Sequence, residues 1–160
     1  MGVTTMTAMG SGASTGLSTT SKTVLVVDDS DFIRRLVSLI LRMEGYRVIE
    51  SNNGKDALKR LREVFIDMMV TDLNMPEMDG IELVRTMRSK SAFAHIPVVM
   101  LTSEFLETRK QMAFEAGINE WVPKPFITKH LRNLIRKYVQ QESFRKASET
   151  RKEICVFDSQ

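Results

Sequence analysis

Five polar positions close apolar runs in this chain. Asp28 and Asp29 follow Val24-Leu25-Val26-Val27, Asp72 follows Met68-Met69-Val70-Thr71, Thr102 follows Val98-Val99-Met100-Leu101, and Lys124 follows Trp121-Val122-Pro123. Three carboxylates, a hydroxyl and an ammonium are the groups that would bind a divalent cation together with a phosphoryl group. Clustered carboxylates repel one another, and the usual remedy is Mg2+, a hard ion that keeps several waters and takes one or two protein carboxylates. A free oxygen of Asp72 could then attack phosphorus and carry it as an aspartyl phosphate. Lys124 would balance the phosphoryl charge and Thr102 would hydrogen-bond one of its oxygens. Singly, each residue has an ordinary explanation. An acidic pair after a strand caps helices, Asp72 is a loop acid, Thr102-Ser103-Glu104 resembles a helix start, and a lysine is normally solvated. The shared position, each at the end of an apolar run, sets the group apart.

The intervening residues supply the elements that would position these groups. Ser30 or Asp31 can cap a helix whose apolar positions Ile33, Leu36, Val37 and Ile40 recur at helical spacing, with Gly45 near its stop. Tyr46 to Glu50 predicts a short strand, and Asn53 opens a helix with Ala57, Leu58 and Leu61 inward. Ile66 to Thr71 predicts the third strand. A turn-rich loop from Met75 to Gly80 precedes a helix bearing Ile81, Val84 and Met87. Pro97 to Leu101 predicts the fourth strand, Phe105 to Ala116 a helix closed by Gly117, and Asn119 to Val122 the fifth strand. Ile127, Leu131, Leu134, Ile135 and Tyr138 stripe a last helix. Near-continuous apolar strands alternating with helices predict an α/β fold, a doubly wound parallel sheet with helices on both faces. Right-handed crossovers and five strands favour the flavodoxin-like order 2-1-3-4-5. That order makes strands 1 and 3 neighbours, gathering Asp28, Asp29 and Asp72. Lys124 then starts about two strand spacings from Asp72, roughly 10 Å by backbone, a gap that an extended lysine largely closes.

Composition narrows the class. The chain has 160 residues, one cysteine and a formal net charge of +3. It is long enough for one full core without disulfides, and a lone Cys155 leans towards a reducing, cytoplasmic setting. No apolar run approaches the roughly 18 residues of a membrane span, and no secretory leader pattern opens the chain. Basic residues are mostly interleaved with acids. The densest stretch, Lys124 to Lys137, reads as a solvated helix face, so neither nucleic acid nor membrane is expected as a partner. Residues 1–21 lack charged side chains and strong apolar content and are expected to be a disordered tail. Residues 141–160 carry four acidic and four basic side chains around the short apolar patch Ile154-Cys155-Val156-Phe157 and are too short for an output domain.

Residues 22–140 resemble the receiver domain of two-component response regulators. The matching residues are the pair Asp28-Asp29, Asp72 within Thr-Asp-Leu-Asn-Met-Pro-Glu-Met-Asp-Gly, Thr102 thirty positions later, and Lys124-Pro125-Phe126. The resemblance implies that Asp72 is the phosphoacceptor and that Asp29, Asp72 and the main-chain carbonyl of Asn74 ligate Mg2+, with Asp28 contributing through water. It further implies that Thr102 and Lys124 contact the phosphoryl group and that the Lys124-Pro125 bond is cis. Thr102 would move inward on phosphorylation and Trp121 would rotate into the space it leaves, although this family more often has Tyr or Phe there. Asn74 and Glu104 occupy the positions that tune phosphoryl lifetime. Their identities, together with Asp-Asp-Ser and Arg34-Arg35, resemble single-domain chemotaxis-type regulators and imply a short-lived phosphoryl state. The implied function is a stand-alone response regulator. It would accept phosphate from a histidine kinase or phosphotransfer protein, turn over no other substrate, and signal to a further protein by contact.

Two other classes use related parts. A phosphohydrolase of the haloacid-dehalogenase type also combines Asp, Thr and Lys, but carries its nucleophile in Asp-x-Asp after the first strand, where this chain has Asp-Asp-Ser. A flavodoxin-like cofactor binder needs a phosphate-cradling loop at the same place, where Asp28 and Asp29 would repel phosphate.

Overall fold

Residues 21–141 are described by the computed structural model, in which each expected apolar run forms a strand. The elements are β1 (Thr23–Val27), α1 (Asp31–Met43), β2 (Arg47–Ser51), α2 (Gly54–Glu63), β3 (Met68–Asp72), α3 (Gly80–Arg88), β4 (Val98–Thr102), α4 (Glu107–Ala116) and β5 (Glu120–Pro123). A final helix, α5, covers 128–141. All strand pairs are parallel and the order is β2-β1-β3-β4-β5. The tails expected over 1–21 and 141–160 lie outside the described residues except at their edges, and residue 141 is helical.

Alternation along the strands divides the core into two layers. Leu25, Val27, Met69, Val98 and Met100 pack under α2, α3 and α4. Val24, Val26, Met68, Val70, Val99, Leu101 and Val122 face α1 and α5. With period-two side chains and apolar residues at both parities, both faces must be covered, which is why helices lie on each side.

Capping follows local chemistry. The side chains of Ser30, Asn53 and Asp79 accept hydrogen bonds from the N–H groups of Ile33, Asp56 and Glu82, satisfying otherwise orphaned donors. Gly117 ends α4 with φ 104°, a left-handed conformation suited to glycine.

Several expected boundaries and faces differ. Strands β2 to β5 each end one residue later than expected, because the parallel ladders run on to Ser51, Asp72, Thr102 and Pro123. Helix α4 starts at Glu107, two residues after the expected Phe105, since Glu104 folds its carboxylate onto the N–H groups of Phe105 and Leu106 at 2.9 and 3.0 Å and holds them out of the helix. Leu36 was expected in the inward stripe of α1 and is exposed, with Ser38 and Leu41 buried instead. Ile127 is 74% exposed, because it precedes α5 and is not fixed to its inward face.

Candidate functional site

The site lies where the carboxyl ends of β1, β3 and β4 meet, at the point where strand order reverses. Val27 pairs with Thr71 in the β1–β3 ladder, so Asp28 and Asp72 leave adjacent strands at the same level. Asp28 and Asp72 are buried and Asp29 is exposed. One carboxylate oxygen from each of the three lies within 4.8 Å of the others.

Lys124 reaches this cluster from the end of β5. Its Nζ lies 2.8 Å from Asp28 Oδ2 and 3.2 Å from Asp72 Oδ1, bridging two carboxylates whose strands are adjacent. The main chain helps to fix it, with Lys124 N–H donating to the Thr102 carbonyl at 2.8 Å and a cis bond joining Lys124 to Pro125. Asp28 also accepts from Ser30 N–H at 2.9 Å through Oδ1, so both its oxygens are engaged. Burial pushes the Asp72 carboxyl above its ordinary range, opposed by the Lys124 ammonium and reinforced by the neighbouring Asp28.

One ammonium offsets only one of three carboxylate charges. The remaining negative charge, carried on oxygens at one rim with Asp29 open to solvent, suits a hard divalent ion such as Mg2+. The donor set therefore fits the ion that the sequence implies.

The other expected residues stand around this centre. Thr102 is fully buried and its Oγ1 accepts from Glu104 N–H at 3.0 Å. Met100 pairs with Trp121 in the β4–β5 ladder, and strand alternation puts Thr102 and Trp121 on the α4 side of the sheet. Trp121 is partly buried against that layer. Asn74 is exposed just beyond β3. Glu104, by contrast, has its carboxylate engaged by its own loop.

Three supporting contacts escaped the sequence reading. Arg34 donates through Nη1 to the Asp28 carbonyl at 2.7 Å, and its Nε lies 3.6 Å from Glu50, tying the acidic loop to β2. Gly80 donates its N–H to the Leu73 carbonyl at 2.7 Å, and a Cβ there would stand 2.3 Å from the Asp72 carbonyl oxygen. Arg109 on α4 pairs with Asp79 at 2.8 Å, joining α3 to α4. Asp79 followed three residues later by Glu82 is a readable capping signal; nothing local announces the contacts of Arg34 or Arg109.

Residues 24–136 match the family model described as the response regulator receiver domain. The transcriptional regulatory protein ResD of Bacillus subtilis is 36% identical over 84% of this chain, which spans 56% of that relative's length. The chemotaxis protein CheY of Pseudomonas aeruginosa is 37% identical over 74% of this chain and 96% of its own. The solved structure of chemotaxis protein CheY4 of Vibrio cholerae superposes with a TM-score of 0.70 at 35% identity, covering 74% of this chain and 98% of that one.

Proposed function

Because this chain belongs to the response regulator receiver family, we propose that it takes a phosphoryl group onto Asp72 from a histidine kinase or phosphotransfer protein and signals through protein contact, with no attached output domain required. The observation that carries this reading is the Lys124 ammonium set between Asp28 and Asp72 within a triad of carboxylates. In the transfer, Asp72 attacks the phosphorus of a phosphohistidine. The new P–O bond forms as the P–N bond breaks, and the imidazole leaves and takes up a proton. Lys124 follows the charge from the carboxylate to the phosphoryl oxygens, and the Thr102 hydroxyl, whose oxygen accepts from Glu104 N–H, donates its own proton in a hydrogen bond to one of them. Asp28, Asp29, Asp72 and the carbonyl of Asn74 would hold Mg2+, which when bound supplies neutralisation of the phosphoryl charge.

The switch we assign to Thr102 and Trp121 draws support from α4, the helix above them. It buries only Ala113 and Ala116 of its ten residues and its N-cap, Leu106, makes no side-chain capping bond. Such a weakly anchored element is readily displaced. For the phosphodonor, α1 offers a face that starts at the site. Phe32, Leu36, Leu39 and Met43 are exposed at spacings of four, three and four residues, the seam pattern by which one helix packs on another. A helical phosphodonor seated there would present its histidine towards the Asp72 rim.

The direct test is Mg2+-dependent labelling with acetyl phosphate. Wild type should label stoichiometrically and Asp72→Asn should not; retained labelling in the mutant would overturn the assignment. We further propose that the phosphoryl group is short-lived, so persistence for hours in Mg2+ buffer would count against Asn74 and Glu104 as lifetime-tuning residues.

A further inference from the structure

The rim opposite Asp72 carries a groove that phosphoryl transfer does not use. It lies between the C-terminal half of α2 and the loop after α3, has a volume of about 380 Å³, and is lined by Leu58, Phe93, Arg62 and Lys90 among other residues. A second cleft of about 220 Å³ shares Arg62 and Phe93 and extends the surface to Phe65, itself 69% exposed. Arg62 and Lys90 are exposed and form no ion pair among the described residues. An apolar floor with two unpaired cations at its lip fits a short apolar peptide flanked by carboxylates.

The chain contains such a peptide. Residues 153–158 read Glu-Ile-Cys-Val-Phe-Asp. Helix α5 returns from the site to this same rim, as the pairing of its Arg136 with Glu44 at the end of α1 shows, at 3.0 Å. Twelve residues lie between positions 141 and 154. They reach roughly 43 Å when extended, several times the ~10 Å separation of packed layers. We propose that residues 153–158 dock on their own chain in this groove, with Val156 and Phe157 against Leu58 and Phe93 and with Glu153 and Asp158 meeting Arg62 and Lys90. The short tether favours the intramolecular contact, since it sets a local concentration on the order of millimolar. Docking here leaves Asp72 open, and the inference stands apart from the phosphoacceptor reading.

Cys155 lies inside the segment and is the chain's single cysteine, so its alkylation rate reports docking in the full chain. In the native protein alkylation should run at least about tenfold slower than in the same chain unfolded in urea. That protection should not vary with protein concentration, and Arg62→Glu with Lys90→Glu should remove most of it. Circular dichroism melts verify that the double variant remains folded. A native rate equal to the unfolded rate overturns the proposal. So does protection that survives the double variant, which would place the segment elsewhere, or protection that grows with concentration, which would assign the groove to a second copy.

Discussion

Asp72 is held in a state that favours chemistry over stability. Its carboxyl is buried beside Asp28 and is pushed above the ordinary carboxylate range, with Lys124 offsetting only part of the effect. A raised folded-state value means that the native protein binds the proton more readily than the unfolded chain does. This contribution to stability therefore falls as pH rises from the unfolded value, near 4, through the folded one. Asp72→Asn should accordingly stabilise the metal-free protein at pH 7, by about 0.5–2 kcal/mol, read as a higher denaturant midpoint. Added Mg2+ should reverse the ranking, since an ion at a hundred times its dissociation constant adds about 2.7 kcal/mol to wild type and less to the variant. A mutant that melts below wild type without Mg2+ would contradict the account of strain. The lifetime tuning proposed for Asn74 and Glu104 divides at the same scale. Asn74 is exposed at the rim, whereas Glu104 must first give up two hydrogen bonds to its own loop. Asn74→Ala should therefore lengthen the phosphoryl lifetime more than Glu104→Ala, as followed by decay of the labelled protein. The polar residues themselves were legible because each directly follows an apolar run. The contacts of Arg34 and Arg109 were not, because a long side chain bonding to a distant backbone or acid leaves no periodic trace.

At the scale of elements, apolar periodicity located every strand and its neighbours but placed most strand ends one residue early. Asp72 and Thr102 belong to the ladder as well as to the site, so the strand itself fixes their direction. Sequence pattern could not show this, since hydropathy changes at the residue where the hydrogen bonding does not. On α1 the expected inward positions Val37 and Ile40 are buried and Ile33 packs against the inward layer, and only Leu36 was misplaced: the helix carries a second apolar stripe, and spacing alone does not say to which one a residue at their border belongs. The join between β3 and α3 is where an element most directly serves the site. A methyl at Gly80 would meet the Asp72 carbonyl oxygen at 2.3 Å and the Leu73 Cα at 3.0 Å, both backbone atoms that cannot swing aside. Gly80→Ala should cost about 1–3 kcal/mol, the usual range for overpacking, and should slow acetyl phosphate labelling by displacing Asp72. Normal labelling in a destabilised variant would mean that α3 shifts and β3 does not.

For the whole molecule, the proposed function requires contact with two kinds of protein, and the surface carries two separate exposed apolar faces. The outward stripe of α1 begins beside Asp28 and Asp29, while Phe105, Leu106 and Phe114 are exposed around α4 on the other side of the sheet. Acetyl phosphate needs only the pocket, but a protein donor must also bury surface to bring its histidine to Asp72. Leu39 is 56% exposed in the middle of the α1 stripe and takes no part in the inward layer. Leu39→Glu should therefore leave folding and acetyl phosphate labelling within about twofold of wild type. Transfer from a phosphorylated kinase or phosphotransfer protein should fall at least tenfold, because a carboxylate buried without a partner at a helix seam costs well over the 1.4 kcal/mol that corresponds to that factor. Phe114→Glu on α4 is the matched control and should spare transfer from the donor while weakening capture of the downstream protein. Equal loss of donor transfer in both variants would mean that one face serves both partners. The donor would then have to leave before the signal could pass, and the division of the surface argued here would fail.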